Sequence, residues 1–117
     1  MTKTISGPST VVFSLSYWLS AESPTICEIE GFNKIGDSVW YSNNEIVSVT
    51  FGSGVKEIIG HPFYTCPNLT TVHIGPDVDT IDQGFAVLCK SLTTITVDPL
   101  NQFFHVDNMG ILYKKDS

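Results

Sequence analysis

The residues that could carry out chemistry in this chain are three cysteines, three histidines and a few grouped carboxylates. Three cysteines cannot all pair within one chain, and their spacing offers neither a Cys-x-x-Cys pair nor a Cys/His arrangement that suits zinc. The histidines, His61, His73 and His105, are scattered along the sequence. We therefore predict no metal and no cofactor, and we interpret the thiols as small, reduced, buried side chains.

Two groups of carboxylates are the remaining candidates for acid–base catalysis. Glu28 and Glu30 form one group, and Asp77, Asp79 and Asp82 form the other. No base or nucleophile stands at an interpretable spacing from either, and both lack the apolar setting that tunes a catalytic carboxyl. We interpret both groups as solvated turns or loops. A calcium loop at residues 77–82 is a weaker alternative, because the EF-hand glycine and final glutamate are absent. The sequence thus predicts no catalytic residue and a protein that is not an enzyme.

Length and composition narrow the class of protein further. The chain has 117 residues, of which 42% are hydrophobic, enough for one domain with a packed core. Its six basic residues are all lysines and face twelve acidic ones, which leaves a net charge of −6. Phosphate tracks need basic clusters, and base reading relies on arginine, so the composition argues against a nucleic-acid partner. No apolar run is long enough to span a bilayer.

A repeat of 23 residues dominates the sequence from residue 32 onward. The blocks 32–54, 55–77 and 78–100 align without gaps. Six aligned columns stand out, and all but the third are wholly apolar: Phe32/Val55/Val78, Ile35/Ile58/Ile81, Asn43/Cys66/Cys89, Ile46/Leu69/Leu92, Val49/Val72/Ile95 and Phe51/Ile74/Val97. The last two columns alternate with polar residues, which predicts strands near Ser48–Phe51, Thr71–Ile74 and Thr94–Val97. Strands this short are not stable alone, so they must stack in one parallel sheet as a solenoid.

The blocks resemble the BspA-like leucine-rich repeat, a subclass of bacterial and protist surface proteins. Its unit reads approximately I-x-x-x-A-F-x-x-C-x-x-L-x-x-V-x-I-P-x-x-V. The matching positions are Ile58, Phe63, Cys66, Leu69, Val72, Ile74 and Val78, and then Ile81, Cys89, Leu92, Ile95 and Val97. The segment from Val97-Asp98-Pro99-Leu100-Asn101 to Gly110-Ile111-Leu112-Tyr113 is similar to the family's variant unit.

This resemblance covers about residues 32–117. It implies a mainly β fold, a short leucine-rich-repeat solenoid of about three 23-residue repeats. In leucine-rich repeats, the column that holds Asn43, Cys66 and Cys89 turns inward beside the strand and satisfies backbone groups of the loop. We therefore expect these three residues to form a structural ladder inside the coils.

Residues 1–31 do not match a repeat, apart from Cys27 and Ile29, which need a one-residue gap. We predict that they form an N-terminal cap, made of a strand or a hairpin, or a strand used in assembly. Residues 11–19 resemble a signal peptide only faintly. Their alternation predicts a strand with Phe13 on one face and Trp18 on the other.

The C-terminal end, within the repeat region 32–117, is predicted to close with a hairpin. Its turn would lie at residues 107–110 and would bring Phe104 and Val106 near Ile111 and Tyr113. One hairpin does not obviously cover the cross-section of a solenoid, and Trp18 would be left exposed. Open ends expose unpaired strands and apolar surface. We therefore expect a homo-oligomer or an assembly subunit, joined through the N-terminal strand or this hairpin.

The outward positions of the predicted strands form a polar stripe. Its members are Ser48, Thr50, Thr71, His73, Thr94 and Thr96. One interpretation is an ordinary exposed β surface, for which threonine is well suited. The other is a ligand face, because solenoids present such repeated rows to their partners.

The resemblance implies a non-enzymatic protein–protein interaction or adhesion module, located at a cell surface or secreted. The partner would be a protein whose identity the sequence does not give. The alternative is a structural component of an assembly, such as a phage virion fibre or decoration protein, located in the virion.

Overall fold

Longer strands of four or five residues and shorter strands of two alternate through most of the chain. The computed structural model describes residues 2–20, 24–82, 88–107 and 112–114. In that part of the chain the strands are β1 (Thr2–Ser6), β2 (Val12–Phe13), β3 (Ile26–Glu30), β4 (Lys34–Ile35), β5 (Ser48–Phe51), β6 (Glu57–Ile58), β7 (Thr71–Ile74), β8 (Thr80–Ile81), β9 (Thr94–Val97), β10 (Phe104–Val106) and β11 (Leu112–Lys114). A short helix, α1 (Leu15–Ser20), lies between β2 and β3. The predicted strands β5, β7 and β9 are confirmed with the bounds that the alternation indicated.

The longer strands lie side by side in one parallel sheet in the order β1-β3-β5-β7-β9, and the shorter ones form a second sheet, β2-β4-β6-β8. Four successive coils therefore contribute a strand to both sheets, and β9 adds a fifth strand to the first sheet, which confirms the solenoid. From β5 to β9 the paired residues are 23 apart, as in Val49 beside Val72 and Val72 beside Ile95. Cys27 pairs with Val49, so the step from β3 to β5 is one residue shorter, as the predicted gap requires.

The core lies between the two sheets and consists of apolar columns that run along the solenoid. The column under the five-stranded sheet contains Ile5, Ile29, Phe51, Ile74 and Val97. The column under the four-stranded sheet contains Phe13, Ile35, Ile58 and Ile81. Trp40 and Phe63 also lie in the core, and their rings stack with centroids 4.7 Å apart. Burying one such side chain contributes about 1.5–3 kcal/mol, so the repeated columns hold two thin sheets together.

The strand predicted at residues 11–19 is wrong. β2 ends at Phe13, and the carbonyl of Ser14 accepts hydrogen bonds from the amides of Tyr17 at 3.0 Å and Trp18 at 3.3 Å, which begins α1. The helical turn brings Trp18 inside its own chain, where it is 2% exposed. Local hydrogen bonds prevail over the alternating pattern because the coil has to turn back at this point. The expectation of an exposed Trp18 is therefore also wrong.

The N-terminal end continues both sheets of the repeats. β1 pairs with β3 in parallel, with Thr4 beside Glu28 and Ile5 beside Ile29, so these two strands do not form a hairpin. β2 pairs with β4 in parallel in the second sheet. A cap within residues 1–31 is thus built as a coil of the same solenoid. The division of the chain after residue 31 remains a prediction.

The C-terminal hairpin is confirmed, because β10 and β11 pair in antiparallel fashion. Its register differs from the prediction. His105 pairs with Tyr113, so Tyr113 lies on the side opposite Phe104 and Val106. β10 ends at Val106 and β11 begins at Leu112. Ile111 lies outside the described residues. Phe104, 6% exposed, is the hairpin residue that joins the core.

Candidate functional site

The six side chains predicted to face a ligand lie on the adjacent strands β5, β7 and β9. Register places them in two rows across the sheet. The first row is Ser48–Thr71–Thr94, and the second is Thr50–His73–Thr96. Their neighbours along each strand point into the core, since successive residues of a strand face opposite sides. We call the solvent side of the five-stranded sheet the outer face. The structure brings all six residues together there, and their role in binding remains a prediction.

Hydroxyl groups dominate these two rows. Thr94 and Thr96 are exposed, whereas Thr50 and Thr71 are half-buried. Hydroxyls both donate and accept hydrogen bonds, so such rows can hold the backbone of a partner. His73 Nδ1 lies 2.6 Å from Thr96 Oγ1. In the described part of the chain no carboxylate bonds the other ring nitrogen, so this pair lacks the third group that orients a catalytic base.

Strands β1 and β3 extend the outer face beyond the predicted residues. The second row in full is Thr4, Glu28, Thr50, His73 and Thr96. The interpretation of Glu28 and Glu30 as solvated turn residues is wrong, because both belong to β3 and alternate with the buried Cys27 and Ile29. The sequence carried a signal for this placement: with the one-residue gap, Cys27 and Ile29 align with the buried columns and leave the two glutamates outside.

A third row crosses the outer face where the strands end. Ser6 pairs with Glu30, and Gly52, Gly75 and Asp98 come directly after the last residues of β5, β7 and β9, respectively. The amide of Asp98 donates to the carbonyl of Ile74 at 2.8 Å, which carries the strand register one residue further. A Cβ at Gly75 would collide with the carbonyl oxygen of Phe51. Glycine is therefore required there, and no side chain rises from the centre of this row.

The missing side chains leave a groove of about 290 Å³ in the outer face. Gly52 and Gly75 lie at its centre, with Glu28 and Glu30 on one side and Asp98 on the other. The Ser6 hydroxyl donates to Glu30 Oε1 at 2.9 Å. Among the described residues, no donor contacts the carboxylate of Glu28. The groove thus gathers three half-buried carboxylates, of which Glu30 and Asp98 each accept one hydrogen bond from the chain.

None of the lysines of the described residues lines this groove, and Lys114 lies beside Asp79 and Asp82 instead. Lys34, in β4 of the other sheet, forms an ion pair with Glu57 at 3.7 Å. Lys3 takes an inward position in β1, because it pairs with the buried Cys27. Lys56 precedes β6, and Lys90 lies in the turn before β9. The outer face is therefore acidic without compensation by basic side chains of the described chain.

The residues of the predicted ladder, Asn43, Cys66 and Cys89, lie at turns, where each makes a hydrogen bond with a backbone group. Cys66 Sγ donates to the carbonyl of Trp40 at 2.9 Å, and Cys89 Sγ donates to that of Phe63 at 2.9 Å. Asn43 works differently, because its Oδ1 accepts from the amides of Glu45 at 2.8 Å and Ile46 at 2.9 Å. Each cysteine thus ties its coil to the preceding one, whereas Asn43 caps its own turn.

Burial keeps the cysteine thiols protonated. It raises the pKa of Cys27 to about 12, and the pKa of Cys66 to about 12 with a further contribution from Cys89. Burial also raises the pKa of Cys89. A thiol must ionise to act as a nucleophile or metal ligand. These cysteines are therefore suited to structure and poorly suited to catalysis.

The second group of carboxylates serves the turns. Asp77 Oδ2 accepts from the amide of Gly54 at 2.8 Å, and Asp82 Oδ2 accepts from that of Gly60 at 2.6 Å. Asp79 Oδ1 accepts from the hydroxyl of Thr80 at 2.8 Å. The interpretation of these three aspartates as turn residues is confirmed.

Within residues 2–20, 24–82, 88–107 and 112–114, no three His, Cys, Asp or Glu side chains come together to hold a metal ion. The described residues also contain no helix that is long and apolar enough to cross a membrane.

The model of the BspA type leucine rich repeat region matches residues 14–106, in six copies. No curated protein matches the sequence. Among solved structures, the chain is similar to a leucine-rich repeat protein from Eubacterium ventriosum, with a TM-score of 0.50 and 17% sequence identity. The match covers 97% of this chain and 42% of that one. The chain thus spans less than half the length of this relative, and the likeness concerns the fold alone. The family match starts at residue 14, directly before α1, so it includes part of the N-terminal segment that the 23-residue alignment leaves out.

Proposed function

Because the chain belongs to the BspA-type leucine-rich repeat family, we propose that it is a non-catalytic interaction module that holds a protein partner on its outer face. The family supports a repeat-based interaction module in general. The observation that carries this proposal is the set of aligned rows across β1, β3, β5, β7 and β9, in which polar side chains predominate beside the exposed Ile26 and the two glycines Gly52 and Gly75.

The shape of the outer face favours a protein over a small molecule. Pockets for small ligands enclose roughly 300–1,000 Å³ and are mostly apolar. The groove in the outer face is only about 290 Å³ and is lined largely by polar residues and glycines. A partner that lies across several strands would bury far more surface than a small molecule in this groove.

The chemistry of the described residues supports a role in binding. The thiols are held protonated by burial. The aspartates of the turns are engaged with backbone amides. In the hydroxyl rows, in contrast, the side-chain contacts are those between His73 and Thr96 at 2.6 Å and between Thr71 and Thr70 at 3.3 Å, and these leave further donor and acceptor capacity for a partner.

Peptides selected by display on the wild-type protein test this proposal. A bulky, charged Thr71→Arg in the middle of the outer face should weaken the selected binders at least tenfold. Thr80→Arg is the matched control, because Thr80 is exposed in β8 of the opposite sheet. Binders that lose affinity with Thr80→Arg and keep it with Thr71→Arg would place the interaction surface elsewhere.

We also propose that the module acts in adhesion at a cell surface. The support is the association of the BspA-type family with surface proteins. The measurement is labelling of intact source cells with an antibody, compared with permeabilised cells. Labelling only after permeabilisation would contradict a surface location. The virion alternative has no observation of its own in its favour.

Self-association through the C-terminal end is part of the proposal. Burial of Trp18 removes one reason for assembly at the N-terminal end. At the other end, Leu100 is 77% exposed and Phe103 is 42% exposed, and both line one groove beside Pro76. Light scattering over a tenfold dilution should show an oligomer that the variant Leu100→Ser/Phe103→Ser reduces to a monomer. A monomeric wild type at every concentration would contradict this part.

A further inference from the structure

We propose that the partner on the outer face presents a basic extended segment, and that one of its lysine or arginine side chains enters the groove over Gly52 and Gly75. This inference rests on the proposed function, since it specifies what the outer face binds. It is argued from charge and from the shape of the third row.

The charge of the outer face is of one sign. Glu28, Glu30 and Asp98 supply three carboxylates at the groove, and no lysine of the described residues lines it. The chain as a whole carries a net charge of −6. Complementary charge guides encounter and fixes the register of a complex. A basic segment is therefore the partner that this face favours, and an acidic one is repelled.

The third row provides the space for one long side chain. Glu30 and Asp98 stand three strands apart, which places their backbones about 14 Å from each other. Between them lie two glycines. A Cβ at Gly75 would collide with the carbonyl oxygen of Phe51, so this position cannot carry a side chain. A cationic group above the glycines has a carboxylate on either side.

The carboxylates keep acceptor capacity for such a group. Glu30 uses Oε1 for the Ser6 hydroxyl, and Asp98 uses Oδ1 for the amide of Leu100 at 2.9 Å. Each leaves its second oxygen for a partner, and the Glu28 carboxylate has no donor among the described residues. Hydrogen bonds from a guanidinium or ammonium to carboxylates are about twice as strong as neutral ones.

The flanking rows would hold the backbone of the segment. Threonine and serine hydroxyls at residues 48, 50, 71 and 94 line the face beside the groove. They can donate to carbonyls and accept from amides of an extended chain. An alternating peptide, with a basic residue at every second position, presents its charged side chains on one side. Such a peptide is the simplest probe.

The experiment compares three peptides of eight residues: alternating Ser-Arg, alternating Ser-Lys, and alternating Ser-citrulline as the neutral analogue of arginine. The NMR chemical shifts of the backbone amides of the ¹⁵N-labelled protein are followed during each titration. The basic peptides should shift the amides of Gly52 and Gly75 most, and the citrulline peptide should not shift them. Raising NaCl from about 20 to 150 mM should weaken binding, because salt screens exposed charges.

The isosteric variant Glu28→Gln/Glu30→Gln/Asp98→Asn removes the charge and keeps the oxygen acceptors. It should weaken the basic peptides at least tenfold. The control Glu45→Gln removes an exposed carboxylate outside the outer face and should stay within twofold of wild type. Equal shifts with citrulline, an unchanged affinity in the triple variant, or shifts centred on residues 77–82 would overturn the inference.

The two proposals fail in different ways. If displayed binders depend on Thr71 and are unaffected by the triple charge variant, the outer face binds a partner of other chemistry and only the basic-segment inference fails. If the displayed binders are indifferent to Thr71→Arg and the peptides still shift Gly52 and Gly75, the groove binds cations and the broader outer-face proposal fails.

Discussion

Strands β7 and β9 have nearly the same pattern, Thr-Val-His-Ile and Thr-Ile-Thr-Val, and occupy different surroundings. In β7, Val72 and Ile74 are fully buried. In β9, the equivalent Ile95 and Val97 are only half-buried. β7 has a long strand of the sheet on either side, whereas β9 is the last strand of the sheet and is followed by the hairpin of β10 and β11.

This difference shows that burial in a solenoid depends on the neighbouring coils. The stability of a repeat is close to the sum of its own contribution and those of its two interfaces. A repeat with only one full interface therefore gains less stability from burying the same side chains. The following predictions test whether β7 and β9 differ in energy as they differ in burial.

The largest effect is expected at the position that follows each strand, which is Gly75 after β7 and Asp98 after β9. Gly75→Ala should lower the free energy of unfolding by about 3 kcal/mol, because its Cβ would collide with the backbone of Phe51. Asp98→Ala should cost about 1 kcal/mol, from the lost hydrogen bond to the amide of Leu100. Urea unfolding followed by tryptophan fluorescence measures both. Similar costs for the two would contradict the comparison.

The next effect concerns valines in the two strands. Val72→Ala removes fully buried methyl groups and should cost about 2–3 kcal/mol, which includes the cavity. Val97→Ala makes the same chemical change at a half-buried site and should cost about 1 kcal/mol. Chemical unfolding of both variants under identical conditions gives the difference. A larger cost for Val97→Ala would mean that the hairpin seals the end of the core as well as a coil does.

A smaller effect is expected along the cysteine ladder. Cys66→Ala removes one of the two donors to the carbonyl of Trp40, leaving the amide of Asn43 at 3.1 Å, and also removes a fully buried sulfur, so it should cost about 1–3 kcal/mol. Cys89→Ala should cost less, because Cys89 is half-buried and water can replace it at the carbonyl of Phe63. Cys66→Ser should recover part of the loss, since its hydroxyl can donate to the same carbonyl. Thermal unfolding orders the three variants, and a serine variant less stable than the alanine variant would exclude the hydrogen bond as the cause.

The last prediction is a dependence of stability on alkaline pH, which is absent at neutral pH and grows as the pH rises. The pKa values of Cys27 and Cys66 are raised to about 12 in the folded protein from a reference of 9.0. Above pH 9 the unfolded chain loses these protons while the folded chain retains them, so the thiol contribution to stability is complete below pH 9 and is lost as pH rises towards 12. The free energy of unfolding should therefore fall over this range. The Cys27→Ala variant should show a shallower fall, and an identical slope would contradict the assignment.

Much of the fold could be predicted, because the apolar columns recur at a fixed spacing. The columns through Val49, Val72 and Ile95 gave the strand bounds and the register of β5, β7 and β9 correctly. The repeat spacing did not predict the structure of the N-terminal residues correctly. Its strand β3 is offset by one residue, and the alternation of residues 11–19 concealed the hydrogen bonds from Ser14 that begin α1.

Only part of the candidate site could be predicted from the sequence. Thr50, His73 and Thr96 follow from the repeat, because they lie between buried columns. Glu28 and Glu30 do not, since the 23-residue alignment starts after them. The sequence also does not show the role of Gly52 and Gly75. The absence of their side chains forms a groove only because the neighbouring strands place carboxylates beside them.

The sequence by itself determined the length of a coil, the identity of its buried columns and the acidic balance of the chain, because these depend on spacing and composition alone. The tertiary structure decided which copies of the same pattern are buried, how Trp18 finds a place in the core, and how Glu28, Gly75 and Asp98 come to share one groove. The physical reason is that hydrogen bonds between stacked coils set the register, and register brings together residues that are dozens of positions apart.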